Sequence, residues 1–277
     1  MSSPKLLLDT EDRWPTEMGG LFPGERVVFR GKDLFSELGR MRWMELLLFG
    51  ITGRRFSDQE IRLFEGIWVL CTSYPEPRIW NNRVASLCGS ARSTSAFALA
   101  AGTAISEARV YGGQPLVGAF NLLKRVKYRR SLGETLSNIL SKELEKRPIP
   151  GYGRPIVNGD ERIEPLATLA ESLGLAEGPY FKLCFEIEKE LINIAQMRHK
   201  HWPVKMNVGA LMSSLVADRQ FSAHEYHQFI TLCFTGGMFP CFSEAAQRPA
   251  GTFLPLRCDR IAYQGPGRRR WHAATGD

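Results

Sequence analysis

From Leu34 onward, apolar residues return every three or four positions through almost every long segment of this chain, a period that admits little besides amphipathic helices. Leu34, Phe35, Leu38, Met41, Met44, Leu47 and Leu48 predict a first helix, closed by Gly50 and Gly53. Ser57 followed three residues later by Glu60 is the pattern of a capping box, in which each side chain satisfies a free amide of the other's backbone. Ile61, Phe64, Ile67, Trp68 and Cys71 then form the buried face of the helix it starts, and Tyr74 to Pro77 breaks that helix. Further helices are expected over 83–101, which is rich in Ala, Ser and Gly, and over 116–126, 134–145, 164–173, 179–197, 208–216 and 223–234. The last of these starts at a second capping box, Ser222 with Glu225. Residues before 30 contain Pro4, Pro15, Gly19, Gly20, Pro23 and Gly24 and read as an irregular arm with one short strand over 26–30. The predicted class is all-α or nearly so.

At 277 residues, with 44% hydrophobic and 23% charged residues, the chain can bury a sizeable core and is not a disordered protein. A net charge of +7 favours an anionic partner: a nucleic acid, an acidic membrane, or a small polyanion such as a carboxylate or coenzyme A. The six cysteines, Cys71, Cys88, Cys184, Cys233, Cys241 and Cys258, show no C-x-x-C spacing and mostly sit among apolar neighbours. They read as reduced core residues, and neither a disulfide framework nor a zinc site is expected. Without a signal-peptide pattern or an uninterrupted apolar run of membrane length, the expectation is a soluble, cytoplasmic protein with no membrane partner.

One stretch stands apart from the helical pattern. Residues 150–163 hold Pro150, Gly151, Tyr152, Gly153, Arg154, Pro155, Asn158, Gly159, Asp160, Glu161 and Arg162, a loop rich in backbone polar groups and cationic side chains between two helices. It is the expected active-site loop.

Several short motifs, in order, resemble the citrate synthase superfamily. They are Phe29, Arg30 and Gly31; Trp43 through Gly50; Phe56 through Glu60; Asn82 through Ser86; Gly112 and Gly113; Pro150 through Gly153 leading to Asp160, Glu161 and Arg162; Asn207, Val208 and Gly209; and Leu256 and Arg257 leading to Tyr263. The agreement runs from Arg30 to Gly265, and the short length is nearer to citryl-CoA lyases and the carboxy-terminal module of ATP-citrate lyase than to full citrate synthases. The resemblance implies an all-helical homodimer that binds an acyl-CoA beside a carboxylate and makes or breaks a carbon–carbon bond. It also implies an arm over 1–29, a helical domain over 30–265 whose smaller part covers roughly 130–205, and a basic tail over 266–277.

Family chemistry uses two histidines and an aspartate, and all three are replaced here: Tyr111 stands before the glycine pair, Arg154 follows Gly153, and Gly209 ends the Asn-Val motif. Arg162 matches a family arginine that contacts substrate carboxylate, Arg257 one contributed across the dimer, and Gly151, Tyr152 and Gly153 the backbone loop that lies against coenzyme A. Arg154 is read as a cationic clamp for an oxyanion or an extra carboxylate. Tyr111 is read as a donor that needs a nearby cation to act as a base, and His199 and His201 as sources of the base that the lost aspartate no longer supplies. His224 and His227, one helical turn apart, form no convincing metal set, and no metal is expected. The basic run 124–130 reads as a solvated helix end, and nucleic acid is not the expected partner. The implied reaction is carbon–carbon bond formation, cleavage or decarboxylation on an acyl-CoA or carboxylated thioester; the alternative is a catalytically inactive relative that serves as a binding or regulatory subunit.

Overall fold

The computed structural model of the chain describes residues 4–146, 148–154, 159–200 and 204–267. His201, positions 155–158 of the loop and the arginines at 268–270 lie outside the described residues. The element order is α1 (Pro4–Thr10), β1 (Gly19–Phe22), β2 (Arg26–Phe29), β3 (Lys32–Asp33), α2 (Trp43–Thr52), α3 (Asp58–Cys71), α4 (Trp80–Ser90), α5 (Ser95–Ser106), α6 (Gly113–Ser131), α7 (Leu136–Lys146), α8 (Ile163–Ser172), α9 (Pro179–Met197), α10 (Val208–Asp218), α11 (Ala223–Cys233) and α12 (Met238–Gln247), with a 3-10 turn at Cys258–Arg260. The all-helical class is correct. The only sheet among the described residues is a small antiparallel one, ordered β1-β2-β3, with Gly19 opposite Phe29 and Val28 opposite Asp33.

The chain's middle helix is α10. All its residues from Val208 to Ala217 are buried, and it packs against α6 and α9. Its neighbours close a single large core that draws Met44 and Leu48 from α2, Phe64 from α3, Phe120 from α6, Ile139 from α7, Leu166 from α8, Ile187 from α9 and Tyr226 from α11. A satellite core of Ala85, Ala98 and Met238 joins α4, α5 and α12. There a β-carbon built on Gly89 would collide with the backbone of Phe242 and lie 3.1 Å from the nitrogen of Ala246, so α4 and α12 touch backbone to backbone.

Both capping boxes form: Ser57 with Glu60 starts α3, and Ser222 with Glu225 starts α11. Pro179 opens α9 at the first helical position, where its missing N–H costs nothing. Three expectations are corrected. The helix expected from Leu34 begins only at Trp43, because the Asp33 carboxylate accepts from the amides of Phe35 (3.0 Å) and Ser36 (2.8 Å) and holds that segment in turns. The helix expected over 83–101 is two helices, broken where Arg92 adopts a left-handed backbone (φ 61) and Thr94 caps α5. Finally, α12 was not expected at all, and the arm contains a helix, α1, and two strands where one strand was foreseen, with a third strand just beyond it. The stretch Ala223–Gln247 is long and apolar enough on average to cross a membrane, but it is divided between α11 and α12 and contributes Phe229, Ile230, Cys233 and Met238 to the core.

Candidate active site at the start of α10

The sequence reaches the site through two segments that pair with each other. The 151–153 loop runs beside 205–207: Tyr152 bridges Met206 antiparallel, Gly153 N–H donates to the Lys205 carbonyl (2.7 Å), and Asn207 N–H donates to the Gly151 carbonyl (2.9 Å). Asn207 also donates its side-chain amide to the Gly153 carbonyl (2.9 Å) while its side-chain oxygen caps Gly209 N–H at the start of α10 (2.9 Å). Gly151 is required here. Its φ is +87, and a β-carbon would lie 2.8 Å from that of Ala210 and 3.0 Å from that of Ala119. The Tyr152 ring turns into the core and donates its hydroxyl to the Cys184 carbonyl (2.8 Å), and burial raises the phenol far above its ordinary range.

Asp160 organises the charges. Its side chain is fully buried and accepts from Arg162 Nε (2.8 Å) and Nη2 (2.8 Å), from the Arg162 backbone N–H (3.2 Å) and from Val208 N–H (2.8 Å) in the first turn of α10. Burial alone would raise this carboxyl. The Arg162 guanidinium and the Val208 amide outweigh it and hold the group below the ordinary aspartate value. Asp160 in turn offsets the burial that would lower Arg162, whose pKa stays raised. Arg162 uses two of its five N–H donors on Asp160 and makes no other side-chain hydrogen bond among the described residues, with 28% of its side chain exposed. Arg154 Nη1 lies 2.6 Å from Glu161 Oε2, 3.2 Å from the Gly159 carbonyl and 3.9 Å from Asp160 Oδ1. Cys71, at the end of α3, feels both Arg162 and Asp160, but burial pushes its thiol up to about 12, which favours the neutral thiol at neutral pH.

Thus Gly151, Tyr152, Gly153, Arg154 and Arg162 come together. Three other expected site residues have contacts or surroundings of their own. Tyr111 is 52% exposed, with its ring edge-on to Trp80 at 5.5 Å. His199 is exposed just past the end of α9 in a left-handed conformation (φ 49), and Arg257 pairs with Asp259 through hydrogen bonds of 3.0 and 2.6 Å. Asp160 and Asn207 were visible in the motifs, but the part each plays was not assigned. A carboxylate two residues before an arginine, and an asparagine directly before an apolar helical run, are the signals that carry it. No sequence signal marks the pair between His227 Nε2 and Glu107 Oε2 (2.8 Å), which ties α11 to the segment before α6, or the Gln114 amide that also binds Glu107. The basic run of α6 is occupied with local partners: Lys124 and Lys127 lie over the Tyr180 ring at 4.9 and 4.3 Å, and Arg125, Arg129 and Arg130 pair with Glu143, Glu134 and Glu186. Among the described residues, no three His, Cys, Asp or Glu side chains gather as a metal set.

No family model and no curated protein matches the sequence. Solved structures do. Citryl-CoA lyase from Hydrogenobacter thermophilus superposes with a TM-score of 0.78 over 94% of this chain and 97% of its own, at 20% identity. ATP citrate lyase from Methanothrix soehngenii gives 0.69 over 96% of this chain at 18% identity, the match spanning 45% of that longer protein. Citrate synthase from Thermoplasma acidophilum gives 0.63 over 84% of this chain and 59% of its own, at 17% identity. At these identities the likeness is one of architecture: the chain has the citrate synthase-like fold.

Proposed function

We propose that this protein binds a coenzyme A thioester beside a carboxylate at the start of α10 and acts on a carbon–carbon bond of that ligand by cleavage or decarboxylation. The observation that carries this reading is the Asp160-oriented Arg162: a guanidinium with its geometry fixed from behind and donors left over, tied through Asp160, Val208 and Asn207 to the backbone loop 151–153. Two of the similar structures hold ligands of this kind, citrate and coenzyme A in the ATP citrate lyase, and carboxymethyl coenzyme A with oxaloacetate in the citrate synthase. Position 209 carries no side chain to abstract a proton. A reaction whose enolate arises as a bond breaks needs charge stabilisation more than a base, and a cationic site supplies that. The test is calorimetric titration with acetyl-CoA and coenzyme A, followed by turnover assays with citryl-CoA and malonyl-CoA; absence of both binding and turnover refutes the proposal.

A second reading, a binding or regulatory subunit without chemistry, draws on the same two residues: Gly209 offers no base, and Arg154 is engaged by Glu161. Thioester binding without turnover of any of these substrates selects it. A homodimer is part of either reading. Leu6, Leu7, Leu8, Trp14 and Leu21 of the arm and Leu87 and Phe97 of α4 and α5 stand in the open. Light scattering on the purified protein measures the mass directly.

A further inference from the structure

We infer that Arg154 is a specificity-determining residue for a second carboxylate on the ligand, and that Glu161 occupies its guanidinium as an internal substitute for that carboxylate. The inference rests on the proposed carboxylate site at Arg162 and names the ligand class it takes: a dicarboxylate, or an acyl group carrying one.

The geometry starts from Asp160 Oδ1. Arg162 Nε lies 2.8 Å from it and Arg154 Nη1 3.9 Å from it, so the two guanidinium groups approach one buried oxygen from two directions and their nitrogens are separated by less than the sum of those distances. Only Arg162 is bound to Asp160 bidentately, while the nearest acid to Arg154 is Glu161 at 2.6 Å. The two acids differ in kind. Asp160 is fully buried and also holds the first turn of α10, so it is a fixed part of the frame. Glu161 is 67% exposed, and its carboxylate is held by the Arg154 side chain first and by its own backbone N–H second, contacts that lower its pKa. An exposed pair of this kind is held weakly and exchanges readily with a carboxylate from solution. A guanidinium favours a carboxylate through paired hydrogen bonds, and a ligand that reaches Arg162 with one carboxylate finds Arg154 within reach of a second. Glu161 then turns into solvent at little cost, because water receives its charge.

Calorimetric titration of the full chain with succinate and butyrate tests this, since the two share a four-carbon chain and differ in the second carboxylate. Wild-type protein is expected to bind succinate more tightly than butyrate. Glu161→Gln removes the internal competitor and is expected to tighten succinate about two- to fivefold, leaving butyrate unchanged. Arg154→Ala is expected to weaken succinate at least about tenfold, again sparing butyrate. The inference is overturned if Glu161→Gln leaves succinate unaltered or weakens it, or if Arg154→Ala weakens both acids equally. Acetyl-CoA titrated alongside separates the two levels: its failure to bind refutes the thioester reading, whereas normal acetyl-CoA binding with succinate indifferent to both substitutions refutes only the role given to Arg154 and Glu161.

Discussion

Replacing Asp160 by asparagine removes one negative charge from a side chain of zero exposure that receives four N–H donors. The asparagine retains one acceptor oxygen and introduces an NH2 group that must face either the Arg162 guanidinium or the Val208 N–H, donor against donor. Breaking a buried ion pair by deleting one partner costs about 3–5 kcal/mol. Arg162 keeps 28% of its side chain in water, which recovers part of its solvation, so the expected loss is about 3 kcal/mol. For a chain of this length that corresponds to a fall in Tm of about 6–12 °C, measured by thermal and urea denaturation at pH 7. The pH dependence is a sharper check. The Asp160 pKa is depressed in the folded state, so its contribution is complete above the unfolded aspartate pKa of about 3.9 and is lost as pH falls through the lower folded value. The wild type should therefore exceed the variant by a constant margin from neutral pH down to about pH 5, and the margin should shrink below about pH 4. Other depressed carboxyls, such as Glu134 at about 2, are present in both proteins and cancel in the difference. Equal Tm values at pH 7, or acid profiles that stay parallel down to unfolding, refute the assignment of Asp160 as the anchor of Arg162.

Three further outcomes follow from local geometry. Gly151→Ala forces a β-carbon into Ala210 and Ala119 at a positive φ and should destabilise the protein by about 2 kcal/mol in urea denaturation, with weaker acetyl-CoA binding because the loop it shapes moves. Gly89→Ala drives α4 off the backbone of α12 and should cost about 1–3 kcal/mol by the same measurement. Iodoacetamide under native conditions at pH 8 should label the exposed Cys258 well ahead of the half-buried Cys71, whose thiol is pushed up to about 12; mass spectrometry of the digested protein reads the ratio, and equal labelling of the two contradicts the raised thiol.

What the sequence disclosed of the fold was whatever local chemistry decides. A capping box closes within four residues, so Ser57 with Glu60 and Ser222 with Glu225 were readable, as was α9 with proline at its first position. The errors arose where apolar periodicity competed with something the period does not encode. Leu34, Phe35 and Leu38 have helical spacing, yet the Asp33 carboxylate takes the amides of Phe35 and Ser36 for a turn. In α12 a proline at position 240 follows a glycine pair and interrupts the apolar period, yet in the first helical turn it removes only an N–H that has no helical partner.

The site divides along the same line, and the division bears on how far motif order can be trusted for function. Asp160 and Arg162 are two residues apart and their pairing is nearly dictated by adjacency, so the carboxylate anchor was within reach of sequence reasoning. The strap from Asn207 to Gly153 spans more than fifty positions, and the contact from His227 to Glu107 spans 120, so neither leaves a trace that a single chain can reveal. The charged residues expected from motif order fare unevenly for a physical reason. Arg257 meets Asp259 two residues away and Arg154 meets Glu161 seven away, because nearby opposite charges pair at small entropic cost. Order along the chain therefore fixes which loop an arginine sits on, but an acid close by in sequence fixes where it points until a ligand competes for it. That is why Glu161 decides what Arg154 is free to bind.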